Sequence, residues 1–277
     1  MGNYTHTLKY GWFTTRSYIV HTPANYDSKK KYPVVVSMHG FLGDGAVQQD
    51  QTQMDKEADV LGYITVYPDG VGRSWNCSDR CCGYSNARNI DDVGFIRDVM
   101  TDVGRKYSVD EKKRYAVGMS NGGMMAYSLA INAPDVFAAI GVNAGSMDQI
   151  PSRPIGIRVP VIHFHGEDDT NMPINGGPGT GLGDIDFNSL EEASKFFIMN
   201  NNLDATSPVV EETGDYTKIT FNANDEPKAP FVAYLVKRHG HEWPGGVRKL
   251  LWVVSGPLNS NVNASRLMLE FFSNYTR

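Results

Sequence analysis

Tyr32–Met38 reads YPVVVSM, a run of β-branched residues with no polar alternation. A strand with one face in water alternates apolar and polar residues; one that does not is covered on both faces. That requires a sheet with helices above and below it. The rest of the chain agrees. A helix is expected over residues 46–60 and a strand at Tyr63–Tyr67. Asp91 or Asp92 then caps a helix whose Val93, Ile96, Met100 and Val103 share one stripe. Strands follow at Arg114–Gly118, Ala138–Val142, Val159–His165 and Phe231–Val236, and helices at Gly122–Asn132, 188–200 and Asn261–Tyr275. Such alternation implies an α/β fold with a mainly parallel central sheet. Ahead of it, Thr5–Tyr10 and Arg16–His21 alternate around Gly11 and predict an N-terminal antiparallel hairpin. No internal repeat or divisive linker interrupts the 277 residues, so one domain over 1–277 is expected. Asn175–Asp184 is too Gly-rich for regular structure and reads as a long loop.

The balance of charge narrows the function. A net charge of −5 and a pI near 5.8 argue against a nucleic-acid partner, which needs a basic face. Lys29–Lys31 is short and reads as a solvated turn. No apolar run reaches the ~18 residues needed to span a bilayer, so no membrane partner is expected. Met1–Ala24 lacks the pattern of a signal peptide; the chain reads as a secreted protein in mature form, with a cytoplasmic one as the alternative. Cys77, Cys81 and Cys82 allow at most one intrachain disulfide, leaving one buried thiol. Asn3, Asn76, Asn263 and Asn274 sit in glycosylation sequons.

Gly118, Ser120 and Gly122 form G-x-S-x-G between an expected strand and an expected helix. Alone the motif is cheap. In this context it makes a sharp turn that presents the serine at a helix N-terminus, where developing negative charge is favoured. A serine hydroxyl needs a base and an orienting acid. Of seven histidines, His6 and His21 fall in the hairpin, His163 lies inside a strand, and His39 and His165 end strands. His239 and His241 follow the Phe231–Val236 strand, and His241, before Trp243-Pro244, is the better base. For the acid, Glu167, Asp168 and Asp169 compete in the loop after His165. Asp169 is favoured because four residues let the loop turn back, with Asp168 next; Asp69 and Asp92 are explained by turn and capping roles. The order Ser, Asp, His is that of α/β-hydrolases. An oxyanion hole would use the amides of Asn121 and Phe41, the latter in the glycine-bearing loop His39–Gly43.

The segments HGFLGDG (39–45), YPDGVGRSWN (67–76), CCG (81–83), DDVGFI (91–96), GMSNGGMMAY (118–127), HGEDDTNMP (165–173) and GHEWPGG (240–246) occur together and in order. In them the chain resembles the esterase family of feruloyl esterases, acetylxylan esterases and polyhydroxybutyrate-depolymerase-like proteins. The resemblance implies an α/β-hydrolase fold, Ser120 as nucleophile, Asp169 as acid and His241 as base. It departs from many relatives at Asn200–Leu203, where an Asn-Gly-Cys is common, and at the 175–187 loop.

The expectation is therefore a serine esterase working through an acyl-enzyme, without a metal or other cofactor. Its substrate would be a feruloyl or acetyl ester of plant cell-wall polysaccharide, with Trp75, Trp243 and Phe41 as aromatic walls. Short polyhydroxyalkanoate oligomers are the second substrate. A zinc hydrolase built on the His163/His165 and His239/His241 pairs, or a non-catalytic carbohydrate-binding protein, are the competing classes.

Overall fold

The computed structural model describes residues 2–10, 14–77, 81–180, 185–249 and 252–277, the side chains at 252 and 253 aside. The strands are β1 (Gly2–Tyr10), β2 (Thr14–Thr22), β3 (Tyr32–Met38), β4 (Ile64–Pro68), β5 (Val109–Met119), β6 (Ala139–Asn143), β7 (Val161–Gly166), the short β8 (Gly177–Pro178) and β9 (Asp186–Phe187), β10 (Val209–Glu212), β11 (Tyr216–Phe221) and β12 (Phe231–Val236). The helices are α1 (Gly45–Thr52), α2 (Met54–Leu61), α3 (Gly83–Ala87), α4 (Asp92–Lys106), α5 (Asn121–Asn132), α6 (Leu190–Asn201), α7 (Trp252–Ser255) and α8 (Ala264–Phe272).

Ten strands form one sheet in the order β1-β2-β4-β3-β5-β6-β7-β12-β11-β10. The block from β4 to β12 is parallel, and both flanks are antiparallel. The period-2 pleat explains why β3 is apolar throughout. Val34, Val36 and Met38 enter a core with α4, α5 and α6, while Val35 enters a second core with α2 and α8. The chain leaves β3 for β4 on one side and reaches β5 on the other. The crevice beyond the C-terminal ends of β3 and β5 is thus a topological switch point, where open α/β sheets place ligands.

Several boundaries differ from the sequence reading. The helix expected over 46–60 is two helices, broken at Gln53, which takes a left-handed conformation at φ 50°. The C-terminal helix is shorter than 261–275, because Asn263 caps it by accepting from Arg266 N. Asp91, not Asp92, caps α4 by accepting from Gly94 N. The antiparallel β10 and β11 had not been expected. Part of the Gly-rich stretch is ordered as the β8–β9 ribbon; residues 181–184 and the Gly11 turn lie outside the described residues. Cys81 and Cys82 form a disulfide, and Cys77 is a buried thiol. No helix among the described residues is long and apolar enough to cross a membrane.

Asp92 is instead a buried charge, 1% exposed. Its Oδ1 lies 2.6 Å from Arg16 Nη2, and its Oδ2 accepts from Asn76 N at 2.7 Å. Arg16 is also buried and lies over the Phe95 ring. Removing one partner of such a pair strands the other charge in a dry site. Asp92→Ala is therefore expected to lose about 3–5 kcal/mol of stability, read from the urea midpoint; a loss below about 1 kcal/mol would show the pair to be effectively solvated.

Candidate active site

Strand β5 runs into Ser120 and α5 begins at the next residue. Ser120 has φ 54° and ψ −120°, the strained turn that lifts its side chain above the sheet. Two glycines make that turn sterically possible. A Cβ on Gly118 would lie 2.0 Å from Gly122 O, and one on Gly122 would lie 2.2 Å from Met38 O. The Ser120 amide donates to Asn143 O at 2.9 Å, tying the elbow to β6.

The structure brings Ser120, His241 and Asp169 together in one chain of hydrogen bonds. Ser120 Oγ is 2.8 Å from His241 Nε2, and His241 Nδ1 is 2.7 Å from Asp169 Oδ2. A carboxylate accepts, so Nδ1 carries the proton and Nε2 is left to take one from the serine. The loop after β7 holds Asp169: its Oδ1 accepts from Asn171 N at 2.9 Å and Met172 N at 3.0 Å. The loop after β12 holds His241, whose amide donates to Ser255 O at 2.6 Å. Asp168 donates its amide to His239 O, bracing the two loops against each other.

Burial disfavours a charged His241, but the Asp169 carboxylate and its hydrogen bond outweigh it, and the pKa lies above the ordinary 6.5. Burial likewise raises Asp169, while His241, His165 and the Met172 amide pull it down, to a net value below that of a free carboxyl. A base must be unprotonated to act. Activity on an ester, as kcat/KM, is thus expected to fall on the acid side with a midpoint above 6.5, measured on the free enzyme across a pH series. A midpoint well below 6.5 would mean that Asp169 does not stabilise the imidazolium.

Behind Asp169 lies a buried polar line that sequence reasoning had not joined up. His165 Nε2 faces Met172 O at 2.8 Å, and a carbonyl only accepts, so Nε2 carries the proton. His165 Nδ1 then accepts from His163 Nε2 at 3.0 Å, and His163 Nδ1 accepts from the Tyr127 hydroxyl at 2.8 Å. Each tautomer is fixed by the last. Burial keeps both imidazoles neutral, His163 well below its ordinary pKa. The line ends on the residue whose amide grips Asp169.

The other expected residues fall as follows. Phe41 lines the cleft with Ser120 and His241, and the loop bearing it packs against the elbow: a Cβ on Gly40 would lie 3.4 Å from Ser120 Cβ. Among the described residues neither the Phe41 nor the Asn121 amide has a partner. The Asn121 side chain is spent elsewhere, accepting from Trp75 N at 2.7 Å and donating to Trp75 O at 3.1 Å. The two tryptophans do not form pocket walls. Trp75 is fully buried, its indole N–H on His39 O, and Trp243 is 1% exposed, its N–H on Ser265 Oγ. Both brace loops from behind. Their N–H groups find partners in the core, which a wall facing the cleft would not offer. The cleft of about 360 Å³ is lined instead by Leu42, Val47, Met119, Met172 and Val254 beside Phe41, with Gln51, Arg73 and Lys249 among its polar members.

The imidazole pairs do not converge on a metal. His239 Nε2 is 3.0 Å from Glu242 O, and its Nδ1 accepts from Asn259 N at 2.9 Å. His241 is committed to Ser120 and Asp169. His39 uses Nδ1 on Gly40 O and Nε2 on Gly70 N, the strand-end role expected of it.

Residues 16–151 match the family model described as Esterase PHB depolymerase. Among relatives, NocK of Nocardia uniformis subsp. tsuyamanensis, assigned as an esterase, is 27% identical over 93% of this chain and 79% of that protein. Feruloyl esterase B of Piromyces equi is 29% identical over 58% of this chain and 31% of its own length. Feruloyl esterase C of Emericella nidulans is 31% identical over 58% of each. Acetyl xylan esterase from Aspergillus awamori superposes over 98% of this chain and 99% of its own with a TM-score of 0.65 at 17% identity, which establishes a shared α/β-hydrolase fold.

Proposed function

We propose that this chain, which matches the Esterase PHB depolymerase family model over residues 16–151, hydrolyses carboxylic esters through an acyl-enzyme on Ser120. The observation that carries this reading is the unbroken Ser120–His241–Asp169 line, with two unpaired amides beside it. Ser120 Oγ attacks the ester carbonyl carbon as its proton passes to His241 Nε2. The carbonyl oxygen, now negative, accepts from the Phe41 and Asn121 amides. The carbon–oxygen bond to the alcohol breaks, and His241 returns the proton to the departing alkoxide. Water then adds to the acyl carbon, giving a proton to His241, which passes it back to Ser120 Oγ as the acid leaves.

Feruloyl or acetyl esters of plant cell-wall polysaccharide are the substrates we favour. The apolar lining of Phe41, Leu42, Val47, Met119 and Met172 suits an aromatic acyl group, and the names of the relatives point the same way. Action on wall polysaccharide implies secretion. Short hydroxyalkanoate oligomers are a second reading, favoured by the family's description.

The test is incubation with p-nitrophenyl acetate and methyl ferulate, with and without EDTA. We expect turnover of both, no loss in EDTA, and an acetyl adduct on the Ser120 peptide in quenched samples. Turnover of no ester would support a binding module; loss in EDTA would overturn the serine mechanism.

A further inference from the structure

Gln51, near the end of α1, is 6% exposed and forms part of the cleft wall around Ser120. Its Nε2 lies 3.2 Å from Oε2 of Glu242, the neighbour of His241 in sequence. The Glu242 side chain is completely enclosed, with Arg248 Nη1 3.5 Å from its Oε1. Arg248 is fixed in turn by Ser255 Oγ at 2.8 Å and Gly256 O at 2.9 Å. A carboxylate held against a guanidinium only accepts hydrogen bonds.

That settles which way the Gln51 amide points. The opposite flip would set two acceptors face to face. With Nε2 committed to Glu242, Oε1 is the other arm of the same planar group, and it has no hydrogen-bond partner among the described residues. The oxygen is not fully enclosed, so solvent reaches it, and the cleft that Gln51 lines is where a donor can take that solvent's place. An oxygen so placed accepts a donor and offers nothing to an ether or a methyl group.

We propose that Gln51 Oε1 accepts a hydrogen bond from a hydroxyl of the substrate, which makes Gln51 a specificity-determining residue for hydroxylated esters. The proposal rests on the ester-hydrolase reading and names what that site selects. The hydroxyl has two sources: the phenol of a 4-hydroxycinnamoyl group, or a sugar hydroxyl of the alcohol. Glu242 acts through Gln51, as the group that orients it.

The experiment compares ratios of kcat/KM within each protein, so that loss of folded enzyme cancels. For the phenol, methyl 4-hydroxycinnamate is compared with methyl cinnamate; for the sugar, acetylated xylobiose is compared with ethyl acetate. Wild type is expected to prefer the hydroxylated member of one pair by about tenfold, the size of one neutral hydrogen bond. In Gln51→Met that preference falls to near one, and the pair in which it falls identifies the source. Wild type alone supplies a second reading through methyl 4-methoxycinnamate, which keeps the ring oxygen without the proton. If the phenol is the donor, it should be cleaved like methyl cinnamate.

Ratios unchanged in both pairs by Gln51→Met would overturn the proposal and leave the esterase reading standing. So would a methoxy ester cleaved as well as the hydroxy ester, where the phenol pair had shown the preference. Wild type that cleaves no ester at all would remove the esterase reading itself.

Discussion

Ser120→Ala is expected to lower kcat on p-nitrophenyl acetate by about 10⁵- to 10⁶-fold, the range found when a triad nucleophile is removed. The structure makes this a clean test. Ser120 contributes to the fold through its backbone, whose amide stays on Asn143 O whatever the side chain. Its positive φ is imposed by the close packing of Gly118 and Gly122, and alanine bears it no worse than serine does. The variant should therefore melt within a few degrees of wild type while losing turnover. What survives above the uncatalysed rate would come from the Phe41 and Asn121 amides, still in place to hold an oxyanion formed by water attack. Activity within tenfold of wild type would remove Ser120 from the chemistry and with it the acyl-enzyme.

The parallel block of the sheet was legible because burial on both faces leaves an unmistakable mark, as in YPVVVSM at β3. The hairpin β10–β11 escaped because its signal is weaker. Val209–Glu212 reads VVEE and Tyr216–Phe221 reads YTKITF, neither in strict alternation, and all six residues of β11 are half-buried, so no face stands out. The helix break at Gln53 escaped for a different reason. Nothing in the residue demands a left-handed conformation; α1 rests on β3 and β4 whereas α2 packs on β4 and against α8, and the break at Gln53 joins the two. At the site, Ser120, Asp169 and His241 were readable from loop positions along the alternation, since strand ends of a parallel sheet meet at one edge. The pocket walls were not. Trp75 and Trp243 looked like walls because large aromatic rings lie in the right loops, but which way a loop side chain points depends on partners far along the chain. His39 O and Ser265 Oγ claim the two indoles for the core. Leu42 and Val254, which do line the cleft, carry no mark in the sequence. Gln51 could have been suspected only by someone who knew that Glu242, 191 residues away, lies against it.

Asp169→Asn is expected to cost about 10⁴ in kcat, and the reason is written in the hydrogen bonds of its two oxygens. Asp169 Oδ1 accepts from two backbone amides, Asn171 N and Met172 N. An asparagine can keep those bonds only by placing its oxygen there, and its amide group then faces His241. A donor opposite Nδ1 forces the neutral imidazole to hold its proton on Nε2, pointing at Ser120 Oγ, where it cannot take the serine's proton. The tautomer is wrong while every distance is nearly right. The same change removes the charge that holds the His241 pKa above its ordinary value. Residual activity in the variant should therefore show an acid limb displaced to lower pH than in wild type, since the imidazole stays neutral to more acid conditions. Asp169→Ala separates the two effects: it removes the carboxylate without supplying a competing donor, so the productive tautomer is still accessible. The asparagine variant should be no better than the alanine one, although it fills the site almost perfectly and keeps both loop bonds. If Asp169→Asn retained more than about a tenth of wild-type kcat, the carboxylate would be needed for packing the loop and not for the proton on His241.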